Sequence, residues 1–525
     1  MAFSLLREPV SAVPTAWLLC GLALSAFAAY VVYQRYFHPL SAYPGPFWAS
    51  VTDLWQVNQF LSLRQPYNLT ELHEKYGEFV RYGPDKLSIT AEEVVPLVYQ
   101  KGGRRLPKTE FYDAFGNSKM PNVFSMRDVE GHSLRRRHML HSFSISSVKG
   151  MEPYMDRNIE ILRAKISLLA EQEQAFDLKK LIQFYVIDVL GELAFSRSFG
   201  AQASGDESRI PPVVPHTLLG SATGAWPLMT ATLKKWLPVV PTRDFKILFE
   251  GRAKCARLAA ECVQQRLDEL ERVTEEKDQR TDILTNLIMA RDPETGERLS
   301  RPELEAEAFG MIVAGTHTTS ATTTLLFWNL LHSPETLQKC VEEVERSLEP
   351  LDAYKKAYSF ADVERALPYL RACVKENFRQ TPMFTMPLAR RVTAPEGIVV
   401  AGRHIKQGTS VAVCNHAFHH NPAVWGDDHD IYDPSRWDSH AMADRSRYLM
   451  HLGLGNRQCL GKTVALANIY KLAGTLLRDF EFQLADPEES EKAARGEFRR
   501  KLPDLISVGV SDLRGPLMVR AKTRV

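Results

Sequence analysis

The sequence predicts a mainly α-helical fold with small β-sheets, an α+β arrangement preceded by one membrane-crossing helix. Three observations carry this expectation. Apolar residues recur at helical spacing through 154–171, 176–194, 245–276, 301–331 and 367–380. Short apolar runs between turn residues mark strands at 79–82, 87–90, 397–401 and 410–414, and 505–510 with 517–521 reads as a further hairpin. From Pro9 to Gln34 no side chain is charged.

That uncharged stretch is long enough to cross the hydrocarbon core of a bilayer as a helix. Trp17 stands near one end and Tyr30, Tyr33 and Tyr36 near the other, as in the aromatic belts of membrane interfaces. The alternative is a cleaved signal peptide, but no basic segment precedes the apolar run. Arg7 is balanced by Glu8 while Arg35 flanks the far end, which puts the body of the chain on the cytosolic side. Next comes RYFHPLSAYPGP (35–46), whose three prolines and one glycine make a stiff, non-helical connector. No repeat or second linker follows. The organisation expected is a short N-terminal segment (1–12), an anchor (13–34), a hinge (35–46) and one large domain (47–525), with 200–241 irregular because it is rich in Gly, Pro, Ser and Thr.

Composition narrows the function. Among 525 residues, 65 Lys and Arg stand against 63 Asp and Glu, so nucleic acid is not expected as the main partner. The seven cysteines are odd in number and none forms a C-x-x-C pair, which argues against a disulfide framework and a structural zinc site. A reducing compartment suits them.

One cysteine stands apart. The stretch HLGLGNRQCLGK (451–462) sets Cys459 among Gly453, Gly455 and Gly461, two residues after Arg457 and just before the helical pattern VALANIYKLAGTLL. A helix N-terminus favours a thiolate, and glycines let a backbone approach a flat ligand closely. Such a lone thiolate suits the axial ligand of a haem. A glycine-rich turn around a buried thiol is the bland alternative.

Three further motifs accompany it: His132 and Arg136, four apart on one helix face; Ala314-Gly315-Thr316-His317-Thr318 inside a long apolar helix; and Glu376 with Arg379, three apart. With these the chain resembles the cytochrome P-450 superfamily, the haem-thiolate monooxygenases, across essentially its whole length. The resemblance implies that fold, with haem b as cofactor and Cys459 as the axial iron ligand on its glycine loop. It implies that His132, Arg136 and Arg457 hold the haem propionates, together with Arg391 or its neighbour Arg390. Ala314 and Gly315 would let the helix lie close to bound oxygen, and Thr318 would help deliver protons. Glu376, Arg379 and Arg436 would form a structural clamp behind the cysteine loop. Phe115, Phe124, Met311 and Phe384 would line an apolar substrate pocket.

The chain departs from the family pattern at several places. Leu452 replaces a phenylalanine before the loop, which alters packing beneath the sulfur. His132 replaces a tryptophan, and Ser435 and Trp437 flank Arg436 where an acid and another aromatic are usual. His317 stands where an acid normally precedes the threonine. It is either a second proton carrier or a satisfied core residue. In the run Arg135–Arg137, one arginine can point inward while the others form a solvated basic face.

The activity implied is insertion of one oxygen atom from O2 into an apolar organic substrate. Electrons would come from NADPH-cytochrome P-450 reductase, with cytochrome b5 as a second possible donor. The hinge resembles that of microsomal fungal members, which implies an endoplasmic reticulum membrane and secondary-metabolite biosynthesis. The rival readings are a detoxifying hydroxylase or demethylase of plant or xenobiotic compounds, a reductase-independent isomerase or dehydratase, and a non-enzymatic haem sensor.

Overall fold

The computed structural model describes residues 12–100, 106–116, 120–233, 236, 243–272, 280, 282–292, 294–351 and 356–524. The first residues of the chain, and the end of the helix expected to run to 276, lie outside them. Helix α1 (Ala12–Val32) carries no acidic residue in its first turn and no basic residue in its last, and its described side chains are exposed almost throughout. It is a candidate membrane anchor by length and hydropathy. Its end is tied to the body by Arg81, a buried arginine. Arg81 donates to Gln34 O and Gln34 Oε1, both at 2.7 Å, and meets His38 Nδ1 at 3.2 Å. Within the hinge, Gly45 is required by contact: a Cβ there would lie 2.1 Å from Arg81 O.

The helices that build the site are α2 (Val129–Leu140), α3 (Ile145–Glu171), α4 (Leu178–Phe195), α5 (Val213–Ala225), α6 (Arg243–Arg272), α7 (Arg301–Leu331), α8 (Pro368–Gln380) and α9 (Lys462–Asp479). The central one is α7. A capping box of Ser300 and Glu303 starts it, and it packs against α4, α6 and α8. Its length is about 46 Å at 1.5 Å per residue. Most of its residues are buried in the main apolar core, which α3, α4, α8 and α9 complete.

The sheets are small. Strands β1 (Phe79–Gly83), β2 (Lys86–Ile89), β4 (Arg390–Arg391) and β7 (Ser410–Ala412) form one sheet in the order β1-β2-β7-β4, with only β2 and β7 parallel. Strands β5 (Ile398–Val400) and β6 (Arg403–Ile405) form a hairpin. Strand β3 (Phe176–Asp177) pairs with β11 (Met518–Thr523), which pairs with β8 (Phe480–Leu484).

Two expectations change here. The C-terminal runs do not pair with each other: β9 (Leu505–Ser507) pairs with β10 (Ser511–Leu513), while β11 joins the sheet of β8. Within 200–241, the segment Val213–Ala225 is a helix. Its small residues serve close packing, since a Cβ on Gly220 would lie 2.7 Å from Phe115 Cε1 and one on Gly224 2.5 Å from Phe111 O.

Candidate active site

Cys459 lies on a tight loop held by its own backbone. Its N–H donates to Leu452 O at 2.8 Å, and the Gly453 N–H to Met450 O at 2.9 Å. Gly453 and Gly455 occupy the left-handed region, at φ 67° and 64°, where a side chain is strained. Gly461 does not, and a Cβ there would meet Cys459 Sγ at an ordinary 3.9 Å. The helix start was expected to favour a thiolate. The protein packed around the loop raises the Cys459 thiol above its ordinary pKa, against the Gly461 N–H, Arg136 and Lys462, although the side chain itself is exposed. Desolvation penalises the anion more than a helix start and two neighbouring cations favour it. A coordinated cation reverses that sign.

On α7, Ala314 is exposed and Thr318, one turn on, is half-exposed, although Thr316, His317 and Thr319 are buried. The two share a face, so this face of a core helix is open, as is the Cys459 side chain. Gly315 was expected on that open face. Instead it serves helix packing: a Cβ would lie 2.7 Å from Leu190 Cδ1 on α4. The Thr318 hydroxyl donates back to Ala314 O at 2.7 Å, as Thr316 does to Ile312 O. Unlike buried Thr316, Thr318 remains accessible. His317 is turned to β10: its Nε2 meets Asp512 Oδ2 at 3.2 Å, while Nδ1 has no hydrogen-bond partner among the described residues. Asp512 also pairs with Lys179 on α4 at 3.1 Å. Burial pushes the Asp512 carboxyl up, but His317 and Lys179 outweigh it and hold it below the usual value.

Four cations converge beside the cysteine loop. Arg457 donates to Met126 O at 3.0 Å and to Arg127 O and Asp128 O at 3.3 Å. Arg136 donates to Gln458 O at 2.6 Å. Arg390 donates to the Tyr112 hydroxyl at 2.6 Å and lines one recess with Gly453 and Arg457. Lys108, which the motifs did not single out, donates to Phe124 O and lies over the rings of Tyr112 and Phe124. Among the described residues none of the four makes an ion pair with a carboxylate. Burial and mutual repulsion lower Arg457 to about 10 and Lys108 well below its ordinary value. His132, buried beside Arg457, Lys108, Arg136 and Arg390, falls to about 3.

Lys108 and Arg390 are buried and Arg136 and Arg457 half-buried, and cations so placed without counter-charge are costly. A ligand with two carboxylates relieves that cost, so the donor set fits the propionates of a haem, and the open Ala314 face and the thiol fit its ring and iron. Arg391, expected to reach a propionate, does not join the cluster. It is committed to Asp85 and Glu110. Arg390 and Arg391 are consecutive strand residues and point to opposite faces of the sheet.

Behind the loop, Glu376 is fully buried. It accepts from Arg379 Nε at 2.9 Å, Arg379 Nη2 at 2.7 Å, Arg436 Nε at 2.9 Å and Asp433 N at 3.2 Å. Arg379 also donates to His419 O, His429 O and Ile431 O. The link to the loop runs through His419, whose Nε2 accepts from Met450 N at 3.1 Å, and through His451, stacked on Phe378 of α8 at 3.8 Å.

The distal wall is aromatic. Phe115 and Phe124 meet edge to face at 5.5 Å, and Phe124 and Phe384 at 6.0 Å. Met311 lies instead in the main helical core. His216 on α5, which sequence reasoning missed, packs its ring against Phe309 at 4.8 Å.

The family described as cytochrome P-450 matches residues 44–503. A cytochrome P-450 monooxygenase of Penicillium aethiopicum, gsfF, is 30% identical over 88% of this chain and 92% of its own length. Another of Emericella nidulans, cicH, is 29% identical over 90% and 94%. The benzoate 4-monooxygenase bphA of Aspergillus niger is 27% identical over 92% and 94%.

Proposed function

The chain belongs to the cytochrome P-450 family and is a haem-thiolate monooxygenase; from that premise we propose that Cys459 is the axial iron ligand and that Arg136, Arg390, Arg457 and Lys108, with His132 among them, hold the propionates. The observation that carries this assignment is the set of four cations that, among the described residues, have no carboxylate partner, beside the loop thiol. A haem held there would supply the oxygen-activating chemistry that, with two electrons from a redox partner, puts one atom of O2 into a small organic substrate.

The chain's own residues do the rest. The Cys459 loop presents the sulfur on a backbone fixed by its turns, while the Glu376–Arg379–Arg436 clamp keeps the loop in register. Ala314 leaves the ring face free of side-chain bulk. Thr318 holds a proton at Oγ1, accessible and able to exchange its bond to Ala314 O for one to a water. His317 keeps a proton at Nε2 on Asp512 Oδ2, on a buried line that continues to Lys179.

The aromatic wall of Phe115, Phe124 and Phe384 suits an apolar substrate, and one relative is named for benzoate. The relatives are fungal, and a role in fungal secondary-metabolite biosynthesis is the reading we favour. Residues 13–34 act as the anchor, 35–46 as the hinge and 47–525 as the catalytic domain, on the cytosolic face of the endoplasmic reticulum. Exposed Arg137, Arg447 and Lys462 form a basic surface for NADPH-cytochrome P-450 reductase, with cytochrome b5 as a second donor. The accessible Thr318 hydroxyl favours O2-dependent turnover over a reductase-independent isomerase.

The test is the optical spectrum of the reduced protein with carbon monoxide, beside Cys459→Ser. A strongly red-shifted Soret band that the substitution abolishes supports the assignment. A histidine-like band in the wild type overturns it.

A further inference from the structure

Arg135, the first of the arginine run, does not turn to the cysteine loop. Its guanidinium spans two carboxylates of α7, donating to Glu303 at 2.6 Å and Glu307 at 2.8 Å. Glu307 is 1% exposed, and the proton bookkeeping of the proposed chemistry does not use it. Its carboxylate also accepts the Val123 N–H, at 3.0 Å and 3.2 Å to its two oxygens. Val123 opens a short strap. Asn122 and Ser125 bond each other's backbone N–H at 3.0 Å and 2.9 Å. A Cβ on Gly310 of α7 would lie 3.2 Å from Asn122 Nδ2, so the strap lies directly on the helix. Its other end is held by Arg457 at Met126 O. Between these two holds stands Phe124, whose ring meets Tyr112, Phe115 and Phe384.

We propose that Glu307 is a positioning residue for the distal wall: through the Val123 N–H it sets where the Phe124 ring stands and so decides how bulky a ligand the pocket admits. This rests on the haem-site reading above. The carboxylate form grips the N–H with a charge-assisted bond; the protonated form keeps the shape but weakens the grip. Burial raises Glu307 to about 7, against Arg135 and the Val123 N–H, so both forms occur near neutral pH. The charged groups facing it are Arg135 from α2 and Glu303 from its own helix, and His138 of α2, itself near Asp292, acts on Glu303.

The experiment is optical titration of the holoenzyme with pyridine and with 4-phenylpyridine between about pH 6 and 8. We expect the ratio of the two dissociation constants to change about tenfold across that range, the scale of one hydrogen bond to a charged group. In Glu307→Gln the ratio should stay flat at its low-pH value. Phe124→Ala should also flatten it while leaving Glu307 in place, which keeps the test available if the first variant folds poorly. A ratio that is flat in the wild type, or that still responds to pH in either variant, overturns the proposal. Hydrogen exchange at Val123 separates the two readings, because it needs no haem. If neither pyridine shifts the Soret band but Glu307→Gln speeds exchange at Val123, the haem-site reading has failed and the Glu307 grip stands.

Discussion

Glu376→Gln is the most incisive single change behind the cysteine loop. The wild-type network is charge-neutral: Glu376 and Asp428 offset Arg379 and Arg436. The substitution keeps the volume but leaves a net positive charge, with Glu376 and Arg379 both at 0% side-chain exposure. One oxygen that accepts guanidinium and backbone N–H bonds becomes an amide that donates toward them. Breaking a buried pair in this way costs about 3–5 kcal/mol. For a domain of this size that is a fall in melting temperature of roughly 3–5 °C on the usual per-residue entropy of unfolding. The loss should also be local, because Arg379 carries the His419 carbonyl and His419 carries Met450. Differential scanning calorimetry gives the first quantity, and hydrogen exchange over 450–458 gives the second. The control is Glu488→Gln, which breaks the surface pair with Lys492 and should change neither. If Glu376→Gln melts with that control and protects 450–458 as well as the wild type does, the clamp reasoning is wrong.

Other outcomes follow from single contacts. Arg390→Ala should speed haem transfer to apomyoglobin about tenfold while Arg391→Ala leaves it near wild type, since only Arg390 lies in the cation cluster; the reverse order would reinstate Arg391. Gly315→Ala should cost about 1–3 kcal/mol by pressing on Leu190, and that cost should largely vanish when the same change is made in a Leu190→Ala background, read by thermal unfolding as a double-mutant cycle. Acid should destabilise the fold through buried histidines. Burial lowers His416, and likewise His73, to about 4, so each stays neutral in the folded chain but protonates near 6.5 when unfolded. That stability is fully present above about pH 6.5 and lost as pH falls to about 4, roughly 3 kcal/mol for each group. His416→Gln should flatten the dependence of unfolding midpoint on pH across that window, and an unchanged slope would refute the assignment.

Features that rest on local order are legible in the chain alone. Helical periodicity located α7 at 301–331 and most of α4, α6 and α8, because a buried stripe must recur every 3.6 residues wherever the helix packs. The glycine-and-cysteine loop was legible because turn geometry and ligand reach are set within a dozen residues, and Glu376 with Arg379 because three residues on a helix make neighbours. Features that depend on partners far along the chain appear only once it is folded. Arg390 and Arg391 are chemically identical in sequence, and only the pairing of β4 with β7 chooses which one turns inward. Lys108 reads as one more charge near others until the fold sets it beside Arg390 and Arg457. Glu307 and Asp512 carry no local signal, since the atoms that bind them lie at Val123, Arg135, Lys179 and His317. The helix within 213–225 was hidden for a related reason. Its glycines oppose helix formation locally, and only the close approach of Phe111 and Phe115 makes their smallness an advantage. Strand pairing misled at 505–521 because register is a non-local choice, and the partner of Met518–Thr523 was a strand more than thirty residues upstream.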